Sequence, residues 1–139
     1  MIPRMQPTSQ DEIRNLLGIV ERDLQQTELA GLHADNTFGF LYNAALQLAT
    51  IIIRLRGERF GGAGHHRNTL LRIREIVPPD LEPLAAALEH ARRKRNASIY
   101  DQAGVVTQAD IAGLKDAIAA LKPWVIEQAQ AYLAKSESR

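Results

Sequence analysis

Cysteine is missing altogether from this sequence, and aromatic residues make up only 5% of it. The first absence excludes disulfides and thiolate chemistry and makes a reducing cytosol the default setting. The second means that Leu, Ile, Val and Ala must build the core, a composition that favours helices. Long apolar runs are missing too. The longest, AALQLATIII at residues 44–53, has ten residues, short of the roughly 20 that a membrane-spanning helix needs. The start, MIPRMQPTSQDE, has no apolar stretch of the signal-peptide kind. A cytoplasmic protein without a membrane partner is therefore expected.

Familiar catalytic and metal-binding patterns are also lacking. There is no Glu-x-x-His or His-x-x-His pair, no H-E-x-x-H and no G-x-S-x-G, so neither a metal site nor a serine nucleophile is expected, and no cofactor. The one glycine-rich loop, ERFGGAGHH at residues 58–66, lacks the G-K-[ST] ending of a P-loop. No basic segment is interleaved with aromatics as a single-strand stacking platform would be.

What is present is helical periodicity and an uneven spread of arginine. The 139 residues carry a net charge of +1, a length that suits one domain, 1–139, with an ordered core over about 9–135. Residues 1–53 hold three basic and six acidic side chains, whereas residues 54–95 hold ten basic and five acidic ones, nine of the ten being arginine. Arginine presents a planar fork to phosphate, so the basic middle points either to a polyanionic partner or to ordinary solvated helix faces.

Five helices are expected, with no strand. Ser9 and Glu12 form a capping box before the stripe Ile13, Leu16, Leu17, Val20 and Leu24, and the first helix should end near Gly31. The second covers TFGFLYNAALQLATIIIRLRG, residues 37–57, apolar almost all round. Its polar residues Asn43, Gln47, Thr50 and Arg54 form one narrow stripe, either an exposed edge or a seam facing a cleft or a second subunit. The third, residues 67–77, stops at Pro78 and Pro79. Asp80 should cap the fourth, whose stripe runs Leu81, Leu84, Leu88, Ala91 and then Arg95. Thr107 and Asp110 open the fifth, which Pro123 should kink. Short loops between five helices give an all-α, up-and-down bundle.

The segment ARRKRNASIYD, residues 91–101, concentrates the polar interest. Spacing separates its charges. Arg92, Arg93 and Lys94 fan out around the helix as solvated cations, while Arg95 follows the leucine stripe. Asn96 and Tyr100 share a neighbouring face. Arg95 in that place is either a phosphate ligand or half of an ion pair, with Asp101 or an acid of the first helix. Adjacent His65 and His66 suit one metal ion poorly. They cap or flank the third helix, or they reach a phosphate. His33 and His90 read as surface residues, and Trp124 as core or interface packing.

Arg95-Asn96-x-x-x-Tyr100, late in the fourth of five helices, resembles the signature of the HEPN superfamily (higher eukaryotes and prokaryotes nucleotide-binding domain). That signature is an arginine, usually followed by Asn, Asp or His, with a histidine four to six residues beyond the arginine. The run YNAALQLATIIIRLRG, followed by GGAGHHRNTLL, is similar to the helix and loop before the signature helix. The resemblance covers residues 10–135. It implies a helical bundle that binds RNA or nucleotide, in many members a metal-independent ribonuclease of toxin–antitoxin or defence systems. It further implies a homodimer with the signature helices facing, or a partner of nucleotidyltransferase fold. On this chain the implied catalytic positions are Arg95, Asn96 and Tyr100, with Arg92, Arg93, His65, His66 and Asn43 as candidate RNA or nucleotide contacts. Tyr100 replaces the histidine. A phenol of pKa about 10 is about 0.1% ionised at pH 7, so it is a poor base where an imidazole of pKa about 6.5 is a good one. Arg95 can still hold phosphate and stabilise developing charge. Weakened or lost cleavage is expected, with binding retained. The alternative is a non-catalytic interaction protein.

Overall fold

The structure, a computed structural model, describes residues 2–29, 31–97 and 105–137. It is an all-α bundle of five helices: α1 (Gln10–Gln26), α2 (Ala34–Leu55), α3 (His65–Ile76), α4 (Glu82–Asn96) and α5 (Gln108–Glu137). One cluster of buried side chains draws on all of them. Helix α2 is the central element, with Phe38, Leu41, Ala45, Leu48, Ile51 and Ile52 among its buried residues, and it packs on α1, α3, α4 and α5. Fully burying each such Leu, Ile or Phe stabilises the fold by about 1.5–3 kcal/mol before chain entropy is subtracted. The helix is 22 residues long, longer than the apolar run inside it, and by length and composition it could cross a membrane; 67% of its apolar window is buried in the bundle.

Local chemistry accounts for the ends. Ser9 Oγ accepts from the Glu12 backbone N–H at 3.1 Å, satisfying one of the orphan donors of a helix start. Thr107 and Asp110 cap each other reciprocally, Asp110 N–H to Thr107 Oγ1 at 3.1 Å and Thr107 N–H to Asp110 Oδ2 at 2.8 Å. Other ends differ from the spacing-based expectation. Helix α1 stops at Gln26, with Thr27 as its cap. Helix α2 starts at Ala34, because His33 Nδ1 accepts from the Asp35 N–H at 3.2 Å. Asp80 lies in a 3₁₀ turn, Pro79–Leu81, and α4 begins after it with no side-chain cap bond. Pro123 lies inside α5, as expected, and the helix runs through it. Both Pro123 and Ala119, whose carbonyl loses its partner, are exposed, so water can serve that carbonyl.

A two-residue antiparallel pair was not expected: β1 (Arg4–Met5) lies on β2 (Glu58–Arg59), Arg4 opposite Arg59. Gly57, at φ 74°, makes the turn out of α2, and its carbonyl accepts from Gln6 N–H at 2.8 Å. Ion pairs hold the pair to the helices. Arg59 makes a two-point contact with Glu12 at 2.5 and 2.8 Å, and Arg72 makes one with buried Glu58 at 2.8 and 3.0 Å. These contacts use up four of the arginines that made the middle basic: Arg54 and Arg59 on Glu12, Arg56 and Arg72 on Glu58.

Candidate functional site

The polar stripe of α2 divides between two tasks. Its C-terminal end is structural: Arg54 sits 3.6 Å from Glu12 of α1, and Thr50 donates to its own helix at Leu46 O. Its N-terminal end opens on a cavity of about 780 Å3, within the range of small-ligand sites. Asn43 lines it and donates to Asp23 of α1. Asp23 is 3% exposed, and its other oxygen accepts from Arg22 at 3.2 and 3.3 Å. Neither an exposed edge nor a bare seam describes the stripe; it flanks the α1 contact and ends in the cavity.

Arg95 and Asn96 line the same cavity from the end of α4, and His66 lines it from the first turn of α3. Arg95 is half-buried at the end of a stripe whose Ala85, Leu88 and Ala91 are buried. Its guanidinium rests against Gly39 of α2. A Cβ at position 39 would stand 2.9 Å from Cζ and Nη2 of Arg95 and 3.1 Å from Nε, so any side chain there would displace the guanidinium. Among the described residues no carboxylate lies within ion-pair distance of Arg95. Asp101, one ion-pair candidate from the sequence, lies outside the described residues, as does Tyr100.

The neighbouring cations of α4 are not all solvated, contrary to the expectation from spacing. Arg92 grips buried Glu89 through two hydrogen bonds of 2.9 and 3.0 Å, and Lys94 lies 3.3 Å from Asp110 of α5. Only Arg93 of the three is largely exposed, 3.6 Å from Glu89. The signal for Arg92 was its i,i+3 spacing from Glu89 on a helix. Gly64, at φ 77°, is the residue before α3, and His65 Nδ1 lies 2.9 Å from Gly62 O. His65 thus flanks the helix start as expected, while His66 turns to the cavity. Although His66 is exposed, partial desolvation on its cavity side, with the charges of His65 and Arg92 adding, holds it below the ordinary imidazole range. A neutral imidazole can take up a proton near pH 7.

Residues that sequence reading missed complete the cavity: Gly39, Tyr42 and Asn36 of α2, with Arg22 and Asp23 of α1. Tyr42 is 7% exposed, and its hydroxyl has no hydrogen-bond partner among the described residues. Burial pushes its phenol up to about 12, with Glu89 adding to the shift and Arg92 and Arg95 opposing it. It remains a neutral donor at any physiological pH. Among the described residues no three His, Asp or Glu side chains come together as a metal cluster would. Chemically, the cavity offers the fork of Arg95, a phenol donor, the three amides of Asn36, Asn43 and Asn96 and a neutral imidazole, with one carboxylate already engaged. None of the family models, curated proteins or solved structures compared with this chain matches it.

Proposed function

We propose that this protein is a HEPN-like RNA- or nucleotide-binding protein, with the phosphate held by Arg95 in the cavity between the end of α4 and the first half of α2. The observation that carries the reading is the seat of Arg95: a guanidinium on a leucine stripe, laid on a glycine, with no described carboxylate beside it. A structural ion pair would bring an acid to it. A phosphate ligand site would leave its fork available to a tetrahedral anion. Asn96 and His66 on the same wall support contacts to ribose or phosphate. Residual metal-independent cleavage, if the protein performs it, takes its base from His66, since Tyr100 is a poor one near neutrality.

A second reading has its own observation. A groove of about 340 Å3 between α2 and α5 is lined by Ile52, Leu55, Ile76, Trp124 and Tyr132. It favours an interaction protein that docks a second copy of itself or a nucleotidyltransferase-like subunit.

The test is RNA binding by fluorescence anisotropy, wild type beside Arg95→Ala, with EDTA present. Wild type should bind a labelled single-stranded 10-mer with an affinity that falls with salt. Arg95→Ala should weaken binding about tenfold or more, as loss of a charge-assisted hydrogen bond implies. Equal affinity in both proteins removes the reading, as does absence of wild-type binding to both the 10-mer and 5′-AMP. Product analysis of the same samples reports cleavage.

A further inference from the structure

Burying a hydroxyl without a partner costs a fold about 1–3 kcal/mol, and Tyr42 does this beside the Arg95 cavity. Phenylalanine would fill the same space without that cost. One turn earlier on the same helix, Gly39 keeps a glycine in a helix interior, where alanine is favoured by about 1 kcal/mol. The two positions are three apart, so they share a face, and that face looks onto Arg95. Two departures from the most stable choice, the Tyr42 hydroxyl and the glycine at 39, therefore meet at one place beside Arg95.

Among the described residues no protein acceptor in reach explains the hydroxyl. Glu89, the carboxylate whose charge acts on Tyr42, has its oxygens occupied by Arg92 at 2.9 and 3.0 Å. Asp23 is engaged with Arg22 and Asn43. Resting on the reading above, we propose that the Tyr42 hydroxyl is the second arm of the phosphate site, donating its hydrogen bond to an oxygen of the phosphate that Arg95 holds. The geometry of the anion matters. A carboxylate has two oxygens in one plane, and a guanidinium fork takes both. A phosphate is tetrahedral, so a fork can hold two oxygens while a third meets a donor from another direction. A phenol that never ionises at physiological pH adds a donor without adding charge. Tyr42 is thus the group that distinguishes a phosphate from a planar anion, and Gly39 lets Arg95 come close enough to share it.

The substitution Tyr42→Phe tests this, with urea unfolding of the free protein and binding of two probes, the 10-mer RNA and 5′-AMP. The free variant should unfold at the same urea concentration as wild type or a higher one. Its affinity should fall about tenfold or more for whichever probe wild type holds, which also tells a strand from a mononucleotide. Gly39→Ala, which displaces Arg95 and leaves Tyr42 intact, should lose affinity as well. Wild-type affinity in Tyr42→Phe, alongside lost binding in Arg95→Ala, overturns the assignment of Tyr42 and leaves the phosphate site at Arg95 standing. A lower urea midpoint with unchanged affinity shows a purely structural hydroxyl and overturns it too. Absence of binding to both probes in wild type overturns the site itself.

Discussion

Arg95 and Gly39 meet through the fold and not through the sequence, 56 positions apart, and the contact has a consequence that can be measured in both directions. A methyl group at position 39 would lie 2.9 Å from the guanidinium carbon, but the clash is with the far end of a flexible side chain. Gly39→Ala should therefore raise the urea midpoint, by up to about 1 kcal/mol of helix propensity, while RNA affinity falls. Asp23→Ala should do the opposite to stability. It strands the Asn43 amide beside a buried space, a loss of about 1–3 kcal/mol, read as a lower thermal midpoint. Legibility at this scale was uneven. Arg95 could be picked out because a cation interrupts a run of leucines at helical spacing. Asp23 carried the same signal, falling three residues after Val20 on the α1 stripe, and was passed over. Tyr42 reads as one more apolar residue of a central helix, since nothing in a sequence tells whether a buried hydroxyl has found a partner.

At the scale of elements, the helices follow from what the sequence carries. Stripes at 3–4 spacing placed all five, and Ser9 and Thr107 marked two starts correctly. Thr107→Ala should lower stability by about 1 kcal/mol, since it removes the hydroxyl that serves the Asp110 N–H; chemical denaturation measures it. The β1–β2 pair was not legible because two residues per strand carry no alternation. Pro123 sits inside α5, where the sequence puts it. A proline inside a helix is disruptive in proportion to what its missing hydrogen bond leaves behind, and here that carbonyl faces water on an exposed side of α5. The arginines of residues 54–72 show the limit of composition. Counted as charge they suggest a polyanion, but four of them are spent holding Glu12 and Glu58.

The whole molecule carries a pH signature. Glu12 is held below the usual carboxylate range by Arg59, Glu58 by Arg72, and Asp110 by Thr107 and Lys94, which together outweigh its burial. A carboxylate with a lowered folded pKa binds fewer protons than its unfolded counterpart, so its contribution is complete above about pH 4.5 and disappears as pH falls further. His66, also lowered, resists protonation in the folded state, so its contribution is complete above about pH 6.5 and declines below it. Urea midpoints should be flat from about pH 7 to 9, fall gently through pH 6 and fall steeply below pH 4.5. In His66→Gln the gentle decline should vanish while the steep one remains.

Helix α2 gives this bundle its center and also its hazard. A segment that qualifies by length and apolarity as a bilayer span is harmless while four other helices cover it. Released, it presents the kind of surface that chaperones capture and that neighbouring chains aggregate upon. The chain cannot shorten the time of exposure by folding α2 alone, because its burial needs α5, which is made after the other four helices. During synthesis α2 therefore emerges well before its final partner, and its safety in that interval depends on α1. The pairing of Asn43 with Asp23 and of Arg54 with Glu12 ties α1 to α2, so it is available as a clasp on this hairpin once both helices are made. Weakening that clasp should cost soluble yield in cells as well as stability in the finished fold.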